Sequence, residues 1–232
     1  MDSSKHDPAL PAYTKHHPTS SIDSTPEDLP ESKSHLYHVY NTYWQNHYNI
    51  TTADKHQLYY VDNSVWTPKK PDLTLHAGSD NTAPTVAVCK YKYFSRRFHV
   101  GLGDPQNPNK MDWEMVATQS VMHERYRWHI NLPSGRQAFV WKQTRSVGID
   151  ESFSGLCGTN FKLVDDRTGR LVGLFSSTVM SLKKSGKFRV TAEYGKEFEV
   201  MALITVLGLY ESARRRQASA SGGAGGGGGG GG

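Results

Sequence analysis

The sequence predicts a mainly β fold, a closed barrel of about twelve antiparallel strands enclosing one hydrophobic C-terminal α-helix. Three observations carry that expectation. Aromatic and β-branched runs with polar–apolar alternation recur through the middle of the chain, the pattern of half-buried strands. Pro, Gly, Asn and Asp punctuate them, as turns require. One segment near the C-terminus is apolar on every side and contains no proline.

The strands follow in order. Residues 36–44 alternate, with Tyr37, Val39, Asn41 and Tyr43 on one face. Strands are expected over 57–61, 72–76, 85–94, 97–102, 113–119, 124–131 and 137–142. Residues 160–165 and 170–176 flank Asp166-Arg167-Thr168-Gly169, a polar turn ending in glycine. Residues 178–183 and 187–194 flank Ser185-Gly186, which reads as a two-residue hairpin loop.

Residues 196–216 break the pattern. Phe198, Val200 to Ile204, Val206, Leu207, Leu209 and Tyr210 leave no polar stripe, and only Glu199 and Thr205 interrupt them. A helix apolar all round is surrounded on all sides. Glu193, Glu197 and Glu199 near its start and Arg214-Arg215-Arg216 near its end suit the helix dipole, the arginines as a cap. A membrane anchor would need about 20 apolar residues, more than the run 198–210 supplies. A central strand would be about 5–6 residues long. The third reading is a helix inside the sheet. Eight-stranded barrels are filled by their own side chains and 16–18-stranded ones hold water, so about eleven or twelve strands enclose one helix. Ala202, Thr205 and Gly208 recur every third residue, a line along which the wall could approach, although a merely tolerated helix glycine would look the same.

Both ends lack the apolar residues to fold. Residues 1–34 form an acidic, Pro-rich head expected to be disordered, with three lysines against six acidic residues. Residues 218–232 form a Gly-rich tail expected to be disordered, and 35–217 form the barrel domain. Removing a head of net −3 from the chain's +5 leaves +8 on the rest. That field suits anionic partners, lipid or nucleic acid, and equally a solubilising surface. Two cysteines, Cys89 and Cys157, without a preceding charged-then-apolar leader point to free thiols and a cytoplasmic setting, with nuclear or peripheral membrane association as further expectations. The sequon Asn49-Ile50-Thr51 carries little weight in that setting.

Enzyme signatures are sparse. The chain has no phosphate loop, dinucleotide loop or Gly-x-Ser-x-Gly elbow, and Ser152-Phe153-Ser154-Gly155 sits in a polar stretch. Its 11 histidines are scattered without paired ligand spacing, so neither a metal nor a cofactor is expected. Asp165-Asp166 could pair as acids or hold calcium, but their place beside a glycine favours turn chemistry.

Two basic clusters are candidate ligand-binding residues for anionic lipid. Lys90 and Lys92 alternate along one strand, with Arg96 and Arg97 at the bend beyond it. Lys183, Lys184, Lys187 and Arg189 surround Ser185-Gly186. Each cation contributes about 1 kcal/mol near an anionic membrane. Tyr91, Tyr93 and Phe94 would suit single-stranded nucleic acid, but strand aromatics more often point into a barrel, so nucleic acid is not favoured.

Asn160 to Asp166 followed by Gly169 to Phe175 resembles the late hairpin of small fungal tubby C-terminal-like proteins, as do Leu182 to Val190 and Glu197 to Leu203. The resemblance covers about residues 159–216. That superfamily holds tubby proteins, plant LURP-one-related proteins and phospholipid scramblases. It implies a twelve-stranded barrel around a hydrophobic C-terminal helix. Tubby proteins bind phosphoinositides through basic barrel residues, but their motif has no residue-by-residue counterpart here. Two cysteines do not supply the Cys-rich segment of a scramblase. The resulting expectation is a non-enzymatic binding or adaptor module, not an integral membrane protein, with anionic phospholipid or phosphoinositide as its ligand. The rival is a scaffold for a protein partner with no lipid ligand, and the third class is an enzyme with a spatially assembled site.

Overall fold

The computed structural model describes residues 33–42, 47–65, 67–92, 95–120, 124–144, 160–178 and 184–222. Twelve strands run in chain order as β1 (Ser34–Asn41), β2 (Tyr48–Thr51), β3 (Gln57–Asn63), β4 (Leu73–His76), β5 (Thr85–Tyr91) and β6 (Phe98–Leu102), then β7 (Asp112–Ser120), β8 (Arg125–Leu132), β9 (Gly135–Thr144), β10 (Asn160–Asp165), β11 (Leu171–Ser177) and β12 (Lys184–Thr191). Each pairs antiparallel with its chain neighbours, and β12 returns to β1, closing the barrel. Closure leaves no strand edge open. Gly195, at φ 83°, turns the chain from β12 into α1 (Lys196–Gly222).

The strand count matches the expectation through two compensating differences. β2 has no counterpart in the alternation pattern, because four residues are too few to display a period. Conversely, Ser185 and Gly186 are not a hairpin loop. They lie inside β12, where Gly186 pairs with Val39 and Ser177. A Cβ on Gly186 would lie 2.7 Å from the Ser176 carbonyl oxygen and 3.0 Å from the Phe175 ring, so this glycine serves close approach within the sheet. The strand expected over 178–183 lies almost wholly outside the described residues.

Inward-facing side chains of the wall and the helix form one core. Every residue from Phe198 to Leu209 is buried, and the strands surround them. The two polar interruptions of the apolar run have partners waiting in the wall. Tyr37 Oη donates a short hydrogen bond to Glu199, and His35 Nδ1 lies 3.0 Å from that carboxylate. At mid-height Trp141 Nε1 donates to Thr205 Oγ1 at 2.9 Å, and the same hydroxyl donates to the Ala202 carbonyl at 2.9 Å. Burying the Tyr37 phenol beside Glu199 pushes its pKa far up, so it remains a donor.

At Gly208 helix and wall meet closely. A Cβ there would stand 2.8 Å from the Phe98 ring and 3.1 Å from Cys89 Sγ. Helix propensity alone would disfavour glycine by about 1 kcal/mol; contact with β5 and β6 requires it. The helix also runs on to Gly222, beyond the expected end at 216 and into the expected tail. Gln217, Ala218, Ser219 and Ala220 contain no breaker, and Ser219 Oγ donates to the Arg215 carbonyl at 3.0 Å. Among the described residues no helix is long and apolar enough to cross a membrane.

The Asp165 side chain bears out turn chemistry. Its Oδ1 accepts from the backbone N–H of Arg167 at 2.9 Å and of Thr168 at 3.2 Å. Replacing Gly208 with Leu should lower stability by about 2 kcal/mol or more despite the better helix former, because the added atoms have no space. A thermal or denaturant melt equal to wild type would contradict the close contact.

Candidate functional site

The helix leaves the barrel through an ionic node built on a buried carboxylate. Glu211 is 0 % exposed. Tyr48 Oη donates to its Oε2 at 2.6 Å, Arg214 donates through Nε at 2.7 Å and Nη2 at 2.8 Å, and Arg215 Nε donates to Oε1 at 2.8 Å. The expectation that Arg214-Arg215-Arg216 cap a helix end is therefore corrected: the helix continues, and two of the three arginines neutralise Glu211. Arg215 also bonds Asp72 Oδ1 and Asn63 Oδ1, each at 2.8 Å, and its guanidinium lies 4.9 Å from the Tyr91 ring centroid. Asp72 Oδ2 accepts the Tyr91 backbone N–H at 2.9 Å, while Tyr91 Oη donates to the Gly208 carbonyl at 2.7 Å. One arginine thus ties α1 to β3, to the β3–β4 connection and to β5.

Burial alone would raise the Glu211 pKa, but hydrogen bonds from Arg214, Tyr48 and Arg215 outweigh it and hold the carboxyl below its usual range. Burial pushes the Tyr48 and Tyr91 phenols up, so both keep their protons. Burial likewise raises the Cys89 thiol, which leaves it an unreactive core residue.

Outside this node lies a cleft of about 830 Å³ between the β3–β4 connection, the end of β5 and the last turns of α1. Lys69, Lys70, Lys90, Lys92, Arg215 and Arg216 line it, with Asp72 as the one acidic lining residue among those described. Arg215 already holds Asp72, Lys70 Nζ pairs with Asp62 at 2.6 Å, and Arg216 reaches Glu124 at 4.0 Å. Lys69, Lys90 and Lys92 make no ion pair with any described residue. Ser64, Thr67, Ser95 and Ser212 add hydroxyls among the ammonium groups, while Ser219, also in the lining, already donates to the Arg215 carbonyl. This arrangement can hold a multiply charged anion through lysines and hydroxyl donors. Among the described residues no group of three or more His, Cys, Asp or Glu could hold a metal ion.

The sequence-predicted residues divide between two walls. Lys90 and Lys92 line the cleft. Arg96 and Arg97 are exposed in the connection beyond them, next to Ser95, which also lines it. Lys187 and Arg189 instead stand on β12, paired with His38 and Leu36 of β1. From β5 to β12 the shorter way round the barrel, through β4, β3, β2 and β1, takes five steps of the twelve-strand ring. The two clusters therefore form no common site. Lys184 begins β12, and Lys183 lies outside the described residues.

Lys69, Lys70 and Arg216 were not legible as site residues. The available signal was a lysine pair between prolines, Pro68-Lys69-Lys70-Pro71, which marks a rigid exposed turn. The wall of β8, β9 and β10 holds a further feature: Arg125, Lys142 and Lys162 stand directly opposite one another. Like charges in that register destabilise a sheet by roughly 0.2–1 kcal/mol per pair. Burial and then the Arg125 and Lys162 charges hold the Lys142 ammonium below the usual lysine range.

The depressed Glu211 pKa makes stability pH-dependent. The folded carboxyl titrates below the unfolded one, so its contribution is complete above about pH 4.3 and disappears as pH falls through the lower folded value. Glu211→Gln should cost about 3 kcal/mol at neutral pH, because two arginines lose a buried counter-charge. It should also flatten the acid limb of a stability–pH curve. The remaining limb belongs to groups such as Asp165, where hydrogen bonds overcome burial and again lower the pKa. An unchanged acid limb would remove Glu211 from this role.

No protein-family model, curated protein or solved structure matches this chain.

Proposed function

We propose that this protein is a non-enzymatic, tubby-like barrel that attaches peripherally to anionic membrane surfaces, holding a phosphoinositide headgroup in the cleft where its helix emerges. The observation that carries this reading is the convergence of Lys69, Lys90 and Lys92, without ion pairs to described residues, on a cleft whose lining carboxylate is occupied by Arg215. Lysines that no described carboxylate neutralises repel one another at one concave site, and a polyanion relieves that repulsion. The Ser and Thr hydroxyls match the remaining hydrogen-bond needs of phosphate oxygens. The +8 charge outside the acidic head supplies attraction of the same sign at longer range. The resemblance over about residues 159–216 adds support, because it implies a barrel type in which basic residues bind lipid.

A protein-interaction scaffold is the second reading. The in-register row Arg125–Lys142–Lys162 favours it, since three cations side by side on one wall suit an acidic protein surface.

Co-sedimentation with phosphatidylcholine vesicles, with and without a phosphoinositide, at low and raised salt tests the lipid reading. Wild-type protein should pellet with the phosphoinositide vesicles at low salt and be released as salt rises. Replacing Lys69, Lys90 and Lys92 together with Gln should weaken binding about 100-fold at about 1 kcal/mol per cation. No lipid-dependent pelleting at low salt, or equal binding by the triple variant, would overturn it.

A further inference from the structure

We propose that Trp113 and Met115, on the outer face of β7, form an apolar insertion face that enters the bilayer beside the cleft. This rests on the lipid reading above and adds to it a second kind of contact and the residues that make it.

Along β7 the side chains alternate, with Glu114 and Val116 buried and Trp113 and Met115 exposed at 44 % and 39 %. The only other exposed large apolar side chain among the described residues is Val65, in the connection that also bounds the cleft. Trp113 is not a loose side chain. It stands opposite Gly101 of β6, and a Cβ on Gly101 would lie 3.1 Å from the Trp113 ring and collide with Met111. The bare glycine lets the indole lie close against the sheet, with Met111 beside it. An ordered indole loses little side-chain entropy on binding, and tryptophan favours the level of lipid headgroups, where its ring is half in apolar surroundings.

Charge identifies the occupant. Lys90, which lines the cleft, stands opposite His99 on β6, and His99 stands opposite Met115. The apolar pair and the cationic cleft are therefore one continuous stretch of surface. Burial and then the Lys92 charge hold His99 below the usual imidazole range, which brings Lys92 to the same stretch. Thr118 Oγ1 donates to the Arg96 carbonyl at 3.5 Å, which sets the Arg96–Arg97 bend against the same strand. The acidic residue between Trp113 and Met115, Glu114, is turned away and bonded to Arg136 at 2.6 Å. Apolar side chains flanked on one side by lysine and arginine match a bilayer with anionic headgroups, whose acyl region takes the first and whose phosphates take the second.

The two contacts respond differently to salt. Ionic attraction is screened, whereas burial of Trp113 and Met115 is not. Vesicles of phosphatidylcholine and a phosphoinositide should bind the double variant Trp113→Ser, Met115→Ser about tenfold more weakly than wild type at low salt. Wild type should keep a salt-resistant fraction that the variant lacks, with matched melting temperatures showing that both are folded. Independently, brominated lipid should quench wild-type emission, and Trp113→Phe should lose most of that quenching while still pelleting. If wild type binds and the double variant binds equally with the same salt profile, the insertion face is wrong and the lipid reading stands. If wild type does not pellet at low salt, the lipid reading itself fails and this inference with it. A concentration-dependent dimer in wild type that the double variant abolishes would assign the patch to self-association and overturn the proposal.

Discussion

The enclosure of an all-apolar helix by a closed sheet is the constraint on which the rest of this structure depends. A sheet of twelve strands bent into a ring has an interior too wide for its own side chains to fill and too apolar to hold water. The helix from Phe198 to Leu209 fills it, and the ring in turn buries a segment that no single-sided contact could cover. Neither part is a stable arrangement alone. The fit is set by polar pairs at successive heights, Glu199 with Tyr37, Thr205 with Trp141 and Glu211 with Tyr48. A shift of α1 along its axis would leave each of these buried groups unpaired, which costs more than any one hydrogen bond contributes.

The same constraint generates the surface feature with functional potential. The helix must exit, and at its exit the last buried carboxylate, Glu211, draws in Arg214 and Arg215. Arg215 then neutralises Asp72. Without that pairing Asp72 would face the lysines of the cleft and cancel part of their charge. The positive character of the cleft is thus a consequence of how the helix end is anchored. A change at Glu211 or Arg215 would alter the cleft through its framework, with no lysine touched.

Much of the fold was legible because its two strongest signals are independent of register. A helix apolar on all faces must be enclosed, and regularly punctuated β-runs must close into something large enough to enclose it. Details that depend on pairing were not legible. β2 is too short for a visible period, and Gly186 looks like a turn residue because sequence does not record the neighbouring Phe175 ring that excludes a side chain. The three arginines after Tyr210 resembled a cap because the buried position of Glu211 follows from the wall around it. For the site, Lys90 and Lys92 could be found as alternating strand residues, whereas Lys69, Lys70 and Arg216 join them only through the pairing of β4 with β5 and the exit of α1 beside them. The outward lean of Trp113 was equally hidden, since on a strand of unknown register an aromatic residue is expected to face the core.

Hydrogen–deuterium exchange on the full chain tests the enclosed helix most directly. If the sheet wraps α1, the amides of residues 198–209 can exchange only when the barrel opens. They should then be protected to the same free energy as the central residues of β5, β6 and β9, in one cooperative unit. Exchange of that segment well ahead of the strands, under conditions where the strands stay protected, would mean that the helix leaves without the barrel and would contradict the account.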